Sequence, residues 1–210
     1  MTNSIAPRRI ALSALHTGIA ACQRCVAAGF IPEANPIFKG HIGCRVMVVG
    51  QAPGAHAYER PLPYSGATGK TLRAWLATAG FPDDALHTRF YLTSLTKCFP
   101  GPSARGKGDR APAAAEIALC RGHLDREIAL AQPELVLALG RLAITALVGR
   151  GPLAEMVGTM RVAERAGHRF RVLPLPHPSG VSHWLNASEN RARLATALAQ
   201  LAALREARGL

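Results

Sequence analysis

The sequence has no run approaching the 18 or so consecutive apolar residues of a membrane span, so a membrane-embedded chain finds no support. It has no internal repeat and no low-complexity linker. Its opening residues, MTNSIAPRRIALSALHTGIAACQRC, make a poor signal peptide, because His16 and Thr17 interrupt the apolar positions and no clean cleavage site follows. A cytoplasmic protein is therefore expected. Apart from His177, the histidines lack HExxH or HxH spacing, which argues against a histidine-built metal site. GxGxxG and GK[ST] are missing too, so a nucleotide-phosphate loop is poorly supported. Acidic residues are scarce, with 13 Asp plus Glu against 25 Lys plus Arg, a formal charge of +12. That excess favours a polyanion partner, nucleic acid being the commonest, although a proteome that uses arginine freely produces the same balance.

What is present suits a folded α/β chain. With 210 residues, 49% hydrophobic and 18% charged, it can bury a sizeable core, and one domain spanning 1–210 is expected. Helical periodicity runs from Ile5 to Ala21, and a Pro- and Gly-containing loop from Gly29 to Gly43. Short apolar strands are predicted at Arg45–Val49, Arg89–Thr93, Glu134–Leu139 and Phe170–Pro174. Helices are predicted at Lys70–Ala79, Ala113–Ala131 and Gly140–Val148, and from Ser188 along the stripe Leu194, Leu198, Leu201 and Leu204. This alternation implies a three-layer α/β/α fold around a four-stranded parallel sheet. Ligands bind such sheets beyond the carboxyl ends of the strands, so the loops starting at Gly50, Thr93, Gly140 and Pro174 should meet there.

Two of those loops carry chemistry-bearing residues. Gly50-Gln51-Ala52-Pro53-Gly54 lets the backbone approach a ligand, or it is simply a tight strand-to-helix turn. His177-Pro178-Ser179-Gly180 presents a histidine at a strand end, a poor position for core filler, with a plain surface-loop histidine as the other reading. The cysteines say more. Cys22 and Cys25 form a CxxC, Cys98 follows the second strand, Cys120 lies in the next helix, and Cys44 is left over. Four thiolates suit zinc and a [4Fe–4S] cluster alike. A thioredoxin-like redox role is disfavoured, since no strand precedes the CxxC.

In combination these stretches resemble the uracil-DNA glycosylase superfamily, particularly its iron–sulfur branches, families four and five. CxxC precedes the first strand. GQAPG is similar to the family-four GE(A/G)PG loop, and RPLPYSGATGKTL is similar to RPFVGxAGxLL with two residues inserted. YLTSLTKCFPG resembles TNxxKCRPPG, with a further cysteine in the next helix, and HPSG matches the widely shared HPS loop. The order and spacing together are specific, and the match spans Cys22 to the last helix.

The resemblance implies a structural [4Fe–4S] cluster on Cys22, Cys25, Cys98 and Cys120. It also implies monofunctional cleavage of the N-glycosidic bond of uracil or another deaminated base in DNA, by a monomer in base-excision repair. His177 would meet the carbonyl oxygen of the departing base, with Gln51 and Ser94 at the family's other catalytic positions. Gly50, Ala52, Pro53, Gly54, Tyr64 and Ser179 would contact the substrate, Tyr64 by stacking in place of the family's Phe. Val181 and Leu185 would fill the vacated base stack, while Trp184 between them is equally a hydrophobic staple for the last helix.

The chain also departs from the pattern. Gln51 replaces a Glu, Ser94 replaces an Asn, and Ala52 and Ala67 stand where relatives carry acidic residues. Every usual water-orienting carboxylate is therefore missing, and Glu59 and His56 in the same loop match no family role. The rival expectations are a DNA-damage-binding protein that keeps the fold without cutting, and an electron-transfer cluster protein. Release of free base from oligonucleotides separates the first, and activity unchanged by cluster reduction removes the second.

Overall fold

The computed structural model describes residues 5–104, 108–180 and 183–210. The strands are β1 (Val46–Gly50), β2 (Phe90–Ser94), β3 (Leu135–Leu139), β4 (Arg161–Arg165) and β5 (His168–Leu175). The helices of the first half are α1 (Ile5–Ala20), α2 (Arg24–Ala27), α3 (Ala55–Glu59), α4 (Ala67–Thr78) and α5 (Ala85–Thr88). Those of the second half are α6 (Ala114–Ala131), α7 (Gly140–Val148), α8 (Leu153–Met156) and α9 (Ser188–Arg208).

The sheet order is β2-β1-β3-β5-β4. Side chains alternate across it, as a pleated strand requires. Val46 and Val48 of β1 join a core with Leu72 and Leu76 of α4 and Leu198 and Leu201 of α9. Met47 and Val49 face the opposite core, with Leu12 and Leu15 of α1, Leu124 and Ile128 of α6 and Ile144 of α7. Both faces are covered, which is why the strands are continuous apolar runs.

The four strands expected from the sequence are present and parallel to one another. The sheet nevertheless has five strands, not four. β4 pairs antiparallel with β5, joined by a two-residue turn in which Ala166 (φ 52°) and Gly167 (φ 74°) are both left-handed, as hairpin turns that match strand twist require. β4 reads RVAER and is mostly exposed, so it lacks an apolar pattern to betray it. Charged residues on an edge strand also discourage pairing with other chains.

By length and composition the stretch Ile5–Ala27 is apolar enough to cross a membrane, an 18-residue window of it averaging a hydropathy of 1.2. In the fold, α1 packs on α6 through Leu12, Leu15 and Ile19.

Candidate active site

A cavity of about 360 Å³ opens where the parallel strands end. Gly50 closes β1, Thr93 and Ser94 close β2, Leu139 closes β3, and His177 follows β5; all line it. Gln51, Ala52, Pro53, Gly54 and Tyr64 line it as well. The expected gathering of loops at one edge is thus what the fold produces. Ser179 reaches the site through His177, and Leu185 is half-buried against the core beside α9. Val181 lies outside the described residues.

His177 is held from two sides. Its Nδ1 lies 2.9 Å from Ser179 Oγ and accepts from the Ser179 backbone N–H at 3.3 Å. An accepting Nδ1 assigns the proton of the neutral ring to Nε2. Burial lowers the imidazole pKa, opposed by the negative charge of Asp109, which favours that neutral form. Gly140, at the start of α7, has φ +80°, and a Cβ there would lie 3.2 Å from His177 Cβ. The glycine therefore both turns the chain into α7 and leaves the histidine its place.

Tyr64 takes a left-handed backbone (φ 57°) and packs its ring on the core, its Oη close to Gly50. Burial raises its phenol pKa, so the ring stays neutral. Gly69 of α4 has no side chain because the Tyr64 carbonyl occupies that space. Ser94 is buried and donates its hydroxyl to the Thr96 carbonyl at 2.7 Å, leaving its oxygen free to accept. Below this floor lies a buried ion pair that sequence reading passed over. Lys97 Nζ is 2.7 Å from Glu127 Oε2, 2.6 Å from Thr93 Oγ1 and 2.7 Å from the Ser94 carbonyl. Tyr91 and Thr93 donate to the same carboxylate, and His16 Nε2 lies 2.6 Å from the Tyr91 hydroxyl. A lysine four residues from Thr93 and a glutamate within α6 give no local signal of pairing.

Asp109 was also missed. It lines the cavity from the segment after Cys98, and its Oδ2 accepts from the Ala55 N–H at 3.3 Å. Of the substitutes in the first loop, His56 lines the cavity but Glu59 does not; the two pair with each other at 3.8 Å on the surface.

The four named cysteines come from the turn after α1 (Cys22), α2 (Cys25), the loop after β2 (Cys98) and α6 (Cys120). Burial pushes the Cys98 thiol up to about 12, and charge on Cys120, Cys25 or Cys22 would raise it further. Cys25 and Cys120 are raised by burial first and by neighbouring cysteines after it. Cys44 stands apart, buried in the core beneath β1. Among the described residues, no group of three or more His, Cys, Asp or Glu side chains is placed to hold a metal ion.

Residues 38–202 match the family model of the uracil DNA glycosylase superfamily. The chain belongs to that superfamily. It is 30% identical over 175 residues to a type-4 uracil-DNA glycosylase of Pyrobaculum aerophilum, covering 81% of this chain and 84% of the relative. It is 26% identical over 172 residues to a type-4 enzyme of Archaeoglobus fulgidus, covering 78% and 79%. A type-5 uracil-DNA glycosylase of Pyrobaculum aerophilum is 35% identical over 154 residues, covering 67% and 63%. Within the superfamily, the chain thus resembles both types.

Proposed function

We propose that this superfamily member excises uracil, or another deaminated base, from DNA, as a monofunctional glycosylase built on one domain. The observation that carries the reading is His177, half-buried and neutral, with its proton on Nε2, in the wall of a cavity at the strand ends. As the N-glycosidic bond breaks, negative charge grows on the base carbonyl, and a fixed N–H there stabilises the transition state more than the ground state. Tyr64 offers an aromatic face for a flipped base, and Ser94 an acceptor at the floor. Gln51 and the Gly50–Gly54 backbone line the same wall. The net charge of +12 suits a phosphate backbone. Val181 and Leu185 complete the reading as apolar groups that fill the vacated stack.

We assign the cysteine set to a [4Fe–4S] cluster because the family resemblance implies one. A single zinc would need its thiolates within about 2.3 Å of one point, whereas a cluster spreads four thiolates over its corners. Thiols raised by burial, as those of Cys25, Cys98 and Cys120 are, become stable as thiolates only around a positive centre. Cys22, Cys25, Cys98 and Cys120 would hold the group, and it would supply a structural cross-link. Those residues would then tie the N-terminal arm to the β2 loop and α6. Stoichiometric zinc in colourless protein would overturn this assignment.

The test of function is single-turnover release of base from single- and double-stranded oligonucleotides carrying uracil or hypoxanthine. His177→Ala should lower release by about 10²–10³-fold while leaving affinity for damaged DNA unchanged. Tight binding with no release by the wild type would favour the non-cutting rival.

A further inference from the structure

Gln51, Ala52 and Ala67, where the family resemblance implies acidic residues, are neutral, yet the cavity is not without a carboxylate. We infer that Asp109, brought across space from the segment after Cys98, orients and deprotonates the attacking water. The inference rests on the glycosylase reading and adds a residue to it.

Asp109 is the one acidic side chain lining the cavity among the described residues. Glu59 is turned to His56 on the surface, and Glu127 is sealed beneath the floor against Lys97. The first loop is shaped to admit the carboxylate. A Cβ on Gly54 would lie 2.8 Å from Asp109 Oδ2, so any larger residue would push it away. Oδ2 is fixed by the Ala55 N–H at 3.3 Å, and the charge is near enough to act on His177.

The backbone bearing Asp109 is anchored on both sides. Pro102 and Asp109 form an antiparallel bridge, the Ser103 N–H donates to the Gly108 carbonyl at 2.9 Å, and the Arg110 N–H donates to the Gly101 carbonyl at 3.1 Å. The Arg110 guanidinium then grips Glu116 of α6 at 2.6 and 2.9 Å and the Phe30 carbonyl at 3.1 Å. A backbone held in this way keeps the carboxylate at the cavity wall for a reacting water.

The step balances as follows. The C1′–N bond breaks and its electron pair leaves with the base, where the His177 N–H meets the charge. C1′ becomes an oxocarbenium centre, which the Asp109 charge also favours. A water oxygen forms the new C1′–O bond and passes its proton to Asp109, which returns it through solvent to the departed base. One water is consumed; free base and an abasic sugar result.

The competing role is a staple that merely accepts from Ala55. Asn at this position keeps that hydrogen bond and loses the charge. In single-turnover cleavage of a uracil oligonucleotide, Asp109→Asn should lower the rate by about 10²-fold, the usual worth of a general base. Binding to an uncleavable 2′-fluoro uracil oligonucleotide and the melting temperature should stay unchanged. The wild-type rate should fall at low pH along a carboxylate limb that Asp109→Asn lacks, and Asp109→Glu should recover part of the rate. Wild-type cleavage beside an equally active Asp109→Asn overturns the inference alone. So does a loss of rate matched by a loss of melting temperature in both Asp109→Asn and Asp109→Ser. A wild type that binds uracil DNA but releases no base overturns the glycosylase reading, and the inference with it.

Discussion

Two cavities lie at opposite ends of the parallel strands, and the larger is the poorer site. The one where strands begin has about 440 Å³ and is lined by Arg45, Glu134, Val162, Arg169, Phe170, Arg171 and Arg208. Its one carboxylate is already committed. Arg45 meets Glu134 at 2.6 and 3.1 Å, and that hydrogen bond holds the Glu134 carboxyl below the usual carboxylate range. The smaller cavity, where strands end, is walled by glycine, alanine, proline and tyrosine, with a few convergent polar groups. A binding site is made by walls that exclude water and by polar groups with capacity to spare, not by volume. The difference follows from topology, because a parallel sheet sends every strand's exit loop to one edge.

The comparison breaks hardest at the floor of the smaller cavity. Glu127→Ala would leave Lys97, 2% exposed, without its partner, at a cost of about 3–5 kcal/mol in chemical denaturation. Replacing both by Met and Leu should cost less, because no buried charge remains. Equal costs would mean that the pair does not act as a unit. Next comes the wall. Tyr64→Ala should weaken binding to damaged DNA by about 1–3 kcal/mol, and Tyr64→Phe should leave it nearly intact, as measured by titration beside a melting curve. A selective loss with Phe would shift the role from the ring to the hydroxyl.

A smaller effect concerns pH. Burial lowers the pKa of both His177 and His16 below the ordinary 6.5. The unfolded chain therefore binds protons at these sites before the native chain does, so stability is full above about pH 6.5 and declines as pH falls below it. Melting temperatures between pH 7.5 and 5.5 should show this slope, reduced in His16→Gln. The smallest effect belongs to the opposite cavity. Arg171→Gln with Arg208→Gln should leave single-turnover cleavage unchanged, and a marked fall would show that the two cavities are not independent.

Much of this was legible in the sequence for a local reason. β1, β2 and β3 begin and end within about a residue of their apolar runs, because burial on both faces demands an unbroken run. Gly50, Gly140 and His177 sit at strand ends, so their gathering at one edge followed from strand direction alone. β4 escaped because an exposed edge strand needs only its partner's backbone, and RVAER carries no alternation to read.

The sequence by itself determined the parallel core and the four loops, since each is written in residues near one another or in strict order. The tertiary structure alone decided which charges meet. Lys97 finds Glu127 across thirty residues, and Asp109 reaches Ala55 from the far side of the second strand. Hydrophobic patterning is periodic and reports itself along the chain. A single carboxylate can serve any loop that the fold brings within hydrogen-bond reach, so its place is settled only once the sheet has closed the distance.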